Sequence, residues 1–205
     1  MTGEQVYDSE DFQKCITFHG HFCPGVSIGF RAAKAGLDWL AENRSEDEQV
    51  VAVVENNACG VDAVQVLTGC TFGKGNLIFK DLGKQAFTFY SRGAGRAVRV
   101  CMKPGALDPA PEHRVLGDKV RAGNATPEES AAFRDMHHNK GIHVLGMPLD
   151  DLFTVSEVAE PAPAKARIHN SITCADCGEP TMEIRTKKVG ERTLCLECAD
   201  KNGHA

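Results

Sequence analysis

The side chains able to do chemistry fall into two groups. The tail reads TCADCGEP and, after 17 residues beyond Cys177, CLEC, so Cys174, Cys177, Cys195 and Cys198 fit C-x2-C-x15–20-C-x2-C, the spacing of a zinc site. Two residues between cysteines let one tight turn aim both sulfurs at one ion, and Gly178 tolerates the positive φ such a turn demands. Two pairs complete a tetrahedral S4 shell with no open position for water, which makes the site structural. The same ligands would also hold a rubredoxin-like iron; zinc is the expectation. Residues 168–205 bury too little surface to fold alone, so metal binding supplies the missing free energy. MEIRTKK and ERTLC read as a hairpin across Val189–Gly190, with Cys198 entering a short terminal helix, the layout of a treble clef or ribbon-type knuckle.

The second group comprises His19, His21 and Cys23 in FHGHFCPG, Cys59 in ENNACGVDAVQ and Cys70 in TGCTFGKGN. In a strand, positions 19, 21 and 23 share one face; in a loop broken by glycine they converge on one point. A thiolate with imidazoles suits a borderline metal, and fewer than four fixed ligands leave a position open. His21, Cys59 and either His19 or Cys23 form one such set. Alternatively, Cys59 acts as a nucleophile beside His19 or His21, or a metal-bound water reacts with Asp62 as general base. The plain alternative is packing, since free cysteines are among the most buried residues. Cys15, on an apolar helical face, and Cys101, in a strand, are expected in the core.

Two further segments fail as nucleotide sites. GCTFGKGN is one residue short of a phosphate loop and lacks Ser or Thr after Lys74, while GAGRAV has Val98 where a dinucleotide fingerprint needs its third glycine. His137 and His138 are expected to be structural. Nucleic acid is an unexpected partner, because the net charge is −5 and the basic residues are scattered. Arg185, Lys187, Lys188 and Arg192 form a local basic strip, read as the solvated face of the tail hairpin. No apolar run approaches the roughly 18–20 residues of a bilayer span, and MTGEQVYDSEDF lacks the features of a secretory signal. A reducing cytoplasm is therefore expected, where nine cysteines serve metals or chemistry rather than disulfides.

These residues need a scaffold, and the remaining sequence outlines one. A helix is predicted from Asp8 to about Phe18, capped by Asp8 or Ser9, and another from Pro24 to about Glu42. The run 50–55 is a buried strand, Val61–Leu67 a helix, and Asn76–Phe79, Ala86–Ser91 and Arg96–Met102 are strands. From Pro111 to about His143 the pattern is helical in two pieces, the second capped by Thr126 with Pro127 and Glu129 following. A last strand lies near Leu152–Val158. Helices and strands mix without strict alternation, which predicts an α+β class. EPAPAKAR, residues 160–167, reads as a semi-rigid linker between a core, 1–159, and the four-cysteine module, 168–205.

Taken together, FHGHFCPG, CGVDAVQVLTGCTFGKGNL and the CxxC…CxxC tail resemble the FmdE family of formylmethanofuran dehydrogenase proteins, from about residue 9 through the tail. The resemblance implies an α+β core with a metal-capable cleft, a treble-clef finger and a homodimer. Matched motif by motif, the cleft holds His19, His21, Cys23, Cys59, Asp62 and Gln65, with Cys70, Thr71 and Lys74 at its rim. It also implies an accessory of molybdenum or tungsten enzymes, since the chain has no pterin signature or iron–sulfur run. The expectation is a metal-binding accessory protein with structural zinc in the finger and a second metal, zinc among the candidates, in the core. Its partner would be a component of an oxidoreductase or a small molecule. A small enzyme using Cys59 and Asp62, or an interaction module acting through the finger, are the alternatives.

Overall fold

Val50–Val54, five apolar residues in a row and all buried, form strand β1 at the heart of a mixed sheet. The computed structural model describes residues 1–108 and 110–203 and divides the chain into two compact units, Met1–Lys165 and Ala166–Ala205. In the first unit β1 pairs in parallel with β2 (Leu77–Phe79) and antiparallel with β3 (Ala86–Ser91). β3 pairs with β4 (Arg96–Met102) and β4 with β5 (Phe153–Glu157), giving the order β2-β1-β3-β4-β5.

The helices are α1 (Gly3–Tyr7), α2 (Glu10–His19), α3 (Pro24–Leu40), α4 (Gly60–Thr68), α5 (Pro111–Arg121), α6 (Pro127–Gly146) and the short α7 (Leu149–Leu152). Mixed helices and strands make the class α+β, as the residue pattern predicts. Ser9 caps α2, its hydroxyl accepting from the Phe12 amide at 3.4 Å. The Thr126–Glu129 box closes α6 in both directions, at 3.2 and 3.0 Å. The turn α1 is not foreseen in the sequence, because five residues carry too little periodicity. A Thr2–Gln5 capping box nucleates it.

One face of the sheet packs on α3, where Gly36 lies flat on the Phe89 ring; a Cβ there would sit 2.2 Å from that ring. Phe12, Val26, Phe30, Phe87, Val98 and Phe153 complete this core. All six residues of β3 are buried. The reverse face carries a second cluster, Val51, Val53, Tyr90 and Ala97, against which Ile78, Val158 and Ala162 pack. Ala162 belongs to the Pro/Ala stretch, which lies back on this sheet rather than leaving it at once. Nearby, Arg99 grips the Glu55 carboxylate with two nitrogens at 2.7 and 2.8 Å, which holds that carboxyl below its usual range.

The second unit is a pair of hairpins and a helix. β6 (Ser171–Thr173) pairs with β7 (Pro180–Met182), and a 3-10 turn at Glu183–Arg185 leads to β8 (Thr186–Val189). β8 turns at Gly190, φ 62°, into β9 (Arg192–Cys195), which runs into α8 (Leu196–Lys201). Knuckle, hairpin and helix in this order make a treble clef. Among the described residues, Cys174, Leu194 and Ala199 form its buried cluster. In the basic strip Lys187 reaches Asp200 at 3.6 Å and Arg192 pairs with Asp176, so two of its charges are met within the finger. Among the described residues, no helix is long and apolar enough to cross a membrane.

Candidate metal centre

The core centre begins with the end of a helix. Gly20 adopts φ 92°, its amide donating to the Ile16 carbonyl at 2.8 Å, and this left-handed cap stops α2 at His19. Cys23 is extended, φ −153°, and starts α3 with Pro24 in its first turn. The loop between them is pinned by Phe22, whose ring meets Tyr7, Phe12 and His138 edge-on at 5.0, 5.9 and 4.9 Å. Gly141 of α6 makes room for that ring, since a Cβ there would lie 2.4 Å from Phe22 Cζ. Held so, one ligand atom each from His19, His21 and Cys23 lies within 4.8 Å of the others. Cys23 Sγ is 3.9 Å from His19 Nε2, and the two imidazoles sit 4.5 Å apart.

Helix α4 supplies the next layer. Asp62, in its first turn, accepts from His19 Nδ1 at 2.7 Å, and Gln65 Nε2 donates to the other carboxylate oxygen at 3.3 Å. A carboxylate acceptor places the His19 proton on Nδ1, so the Nε2 lone pair faces Cys23. Cys59 opens α4 beside Cys23 but outside the tight three-donor set. The approach depends on glycines: a Cβ on Gly29 would fall 2.0 Å from the Gly60 carbonyl oxygen. One on Gly25 would fall 2.9 Å from Cys59 Cβ and 3.6 Å from the sulfurs of both Cys23 and Cys59. Burial raises the Cys23 thiol pKa, and the neighbouring Cys59 opposes its ionisation further.

Other sequence candidates lie elsewhere. Cys70 is buried and points its thiol at the Val50 carbonyl, 3.3 Å away, so it fastens the loop to β1 rather than lining a rim. Lys74 donates to the Glu46 and Asp47 carbonyls at 3.3 Å, and the Thr71 amide bonds to Asn76. Cys15 is buried as expected, pushed up to about 12 by desolvation, whereas Cys101 is only half-buried. His138 packs on Phe22, and His137 stacks with Phe133 and His113. The residues that sequence reasoning missed are the spacers Gly25, Gly29 and Gly141. The signal for the first two was present in PGVSIGF, where two glycines four apart share a helix face.

In the finger, the four cysteine sulfurs lie within 4.8 Å of one another. A tetrahedral ion with Zn–S of about 2.3 Å sets its sulfurs about 3.8 Å apart, so the donor set fits zinc. Gly178, at φ 73°, closes the first knuckle with its amide on the Cys174 carbonyl at 3.0 Å. The Cys195 amide donates to Cys174 Sγ at 3.3 Å, and the Cys198 amide to Cys195 Sγ at 3.4 Å. Amide donation from Cys195 and then Cys177 lowers Cys174 to about 7, readying a thiolate for metal.

Comparison with known proteins agrees with this division. A family described as "FmdE, Molybdenum formylmethanofuran dehydrogenase operon" matches residues 18–154, and one described as "Prokaryotic dksA/traR C4-type zinc finger" matches residues 170–202. A curated relative from Archaeoglobus fulgidus, described as a probable S-adenosyl-L-methionine-binding protein, is 34% identical over 189 residues. That match covers 89% of this chain and 50% of the relative, so the chain spans about half the relative's length. The crystal structure of a tungsten formylmethanofuran dehydrogenase FmdE-like protein from Syntrophus aciditrophicus matches with a TM-score of 0.58 at 25% identity. It is covered to 95% and covers 99% of this chain. The tail is thus a four-cysteine zinc finger. With its core signature matched across more than half of its length, the chain belongs to the FmdE family.

Proposed function

We propose that this protein is a metal-handling accessory of a molybdenum or tungsten oxidoreductase, acting through the core centre while the finger stays structural. The observation that carries the reading is the convergence of His19, His21 and Cys23 within 4.8 Å, with Asp62 fixing the first imidazole. Two imidazoles and a thiolate suit zinc or a neighbouring divalent ion, and Cys59 stands next to the set as a candidate fourth donor. A metal held there supplies Lewis acidity and an open coordination position. Asp62 and Gln65 orient His19, and the Phe22 anchor keeps the loop from relaxing. The oxidoreductase client follows the family description and the name of the Syntrophus protein, and a homodimer follows the same resemblance. The methionine-derived ligand of the Archaeoglobus protein is not carried over, because this chain spans only half of that protein.

One observation favours a second reading, a small enzyme. Cys59 is half-exposed at the start of a helix and outside the three-donor set, a position open to a nucleophile, with Asp62 one turn on. Elemental analysis of the full chain, alone and as His21→Ala and Cys23→Ser, tests the metal reading. One metal per chain beyond the finger's zinc, lost in both variants, is expected; the same count in all three would overturn it. Asp62→Asn should keep the metal but weaken its binding about 10–100-fold. A reaction abolished by Cys59→Ala with metal content unchanged would favour the enzyme.

A further inference from the structure

Cys59 and Cys23 differ in a way that metal ligation alone does not use. Cys59 is half-exposed, whereas Cys23 is 6% exposed beneath it. Both flank Gly25 of α3, whose missing side chain leaves the space they share: each sulfur lies 3.6 Å from where its Cβ would stand. The other two buried thiols nearby in sequence are occupied, Cys15 with the Asp11 carbonyl and Cys70 with the Val50 carbonyl, each at 3.3 Å.

We propose that Cys23 and Cys59 form a redox couple, which a hydroperoxide closes to a disulfide and which thereby withdraws Cys23 from the donors His19 and His21. The inference rests on the metal reading for its consequence and on the paired thiols for its chemistry. The Cys59 thiolate attacks one oxygen of hydrogen peroxide, the O–O bond breaks, and hydroxide leaves to be protonated to water. Cys59 is then a sulfenic acid. Cys23 Sγ, a thiolate while it holds the metal, attacks Cys59 Sγ, the S–O bond breaks, and the departing hydroxide takes a proton from solvent to become water. Two thiols lose two electrons and one peroxide becomes two waters. A dithiol reductant reverses the change. With its thiolate gone, the centre keeps two imidazoles, and the metal leaves. An accessory protein built this way holds its ion while reduced and yields it when oxidised.

The test uses the full-length, zinc-loaded protein and limiting hydrogen peroxide, with Cys59→Ser in parallel. Peptide mapping by mass spectrometry reads the linkage, and a chromogenic chelator reads released zinc. The expected result is a Cys23–Cys59 crosslink with loss of two hydrogens, release of the core zinc, and recovery on adding dithiothreitol. Cys59→Ser should release no core zinc at that dose; any zinc it loses is the finger's own. Oxidation of Cys59 without a crosslink, or equal release from Cys59→Ser, would overturn the couple while leaving the metal reading intact. A crosslink in a core that never bound zinc would instead overturn the proposed release and the metal reading together.

Discussion

The two centres of this chain reach similar donor spacing by opposite routes. In the finger, all four ligands come from 25 residues, Cys174 to Cys198, and sit on turns that local sequence dictates. Among the described residues, the buried cluster beneath them is Cys174, Leu194 and Ala199. In the core, the ligand loop is clamped by Phe22 among Tyr7, Phe12 and His138, and its neighbour Cys59 arrives by the packing of α4 on α3. The finger is too small to hold its turns without metal, whereas packing alone brings the three core donors together.

The sharpest way to break this comparison is chelation. Removing zinc should unfold residues 170–202, because binding of about 10–16 kcal/mol is the folding free energy of such modules. The core sheet should persist, so amide NMR signals of the finger collapse while those of β1, β3 and β4 hold. Loss of both sets would show that the core also needs metal to fold.

A smaller effect separates scaffold from ligands. Gly29→Ala should force α3 from α4, costing about 3 kcal/mol of core stability and moving Cys59 away from Cys23, with every donor still present. Thermal unfolding and metal stoichiometry check it. An unchanged melting point would mean that the helices do not meet as closely as the glycines allow.

The smallest expected effect is one of pH. His113 and His137 stack on Phe133, and burial lowers the pKa of both. The charges facing them are Lys140 on His113, and His113, Lys140 and His21 on His137, all of which oppose protonation. Since the folded pKa lies below the unfolded value of 6.5, this stability is complete above 6.5 and is lost as pH falls below it. Denaturant midpoints should therefore drop on acidification, less so in His137→Phe. A pH slope unaltered by that change would place the sensitivity elsewhere, in the finger thiols for instance.

Much of the scaffold was legible from short-range rules. Ser9 and Thr126 mark helix starts because a hydroxyl satisfies amides within three residues. The bounds Ala86–Ser91 and Arg96–Met102 match the predicted strands, whose β-branched and aromatic runs are likewise local. What the local pattern does not carry is the burial of both faces of β3, since the chain beyond β5 returns through Val158 and Ala162 to cover the second. Cys70 misled for a similar reason, as nothing in GCTFGKGN says that its thiol turns inward to Val50.

The sequence by itself determined the finger, its four ligands and its hairpin, because a chelating turn needs only neighbours two residues away. It also put His19, His21 and Cys23 within five residues of one another, while leaving open whether a strand or a loop carries them. Only the tertiary structure decided that Asp62 orients His19 and that Cys59 rests on Cys23. Those contacts span 43 and 36 residues and depend on glycine-lined helix packing, and the Gly25/Gly29 spacing marks a close-packing face without naming the helix that meets it.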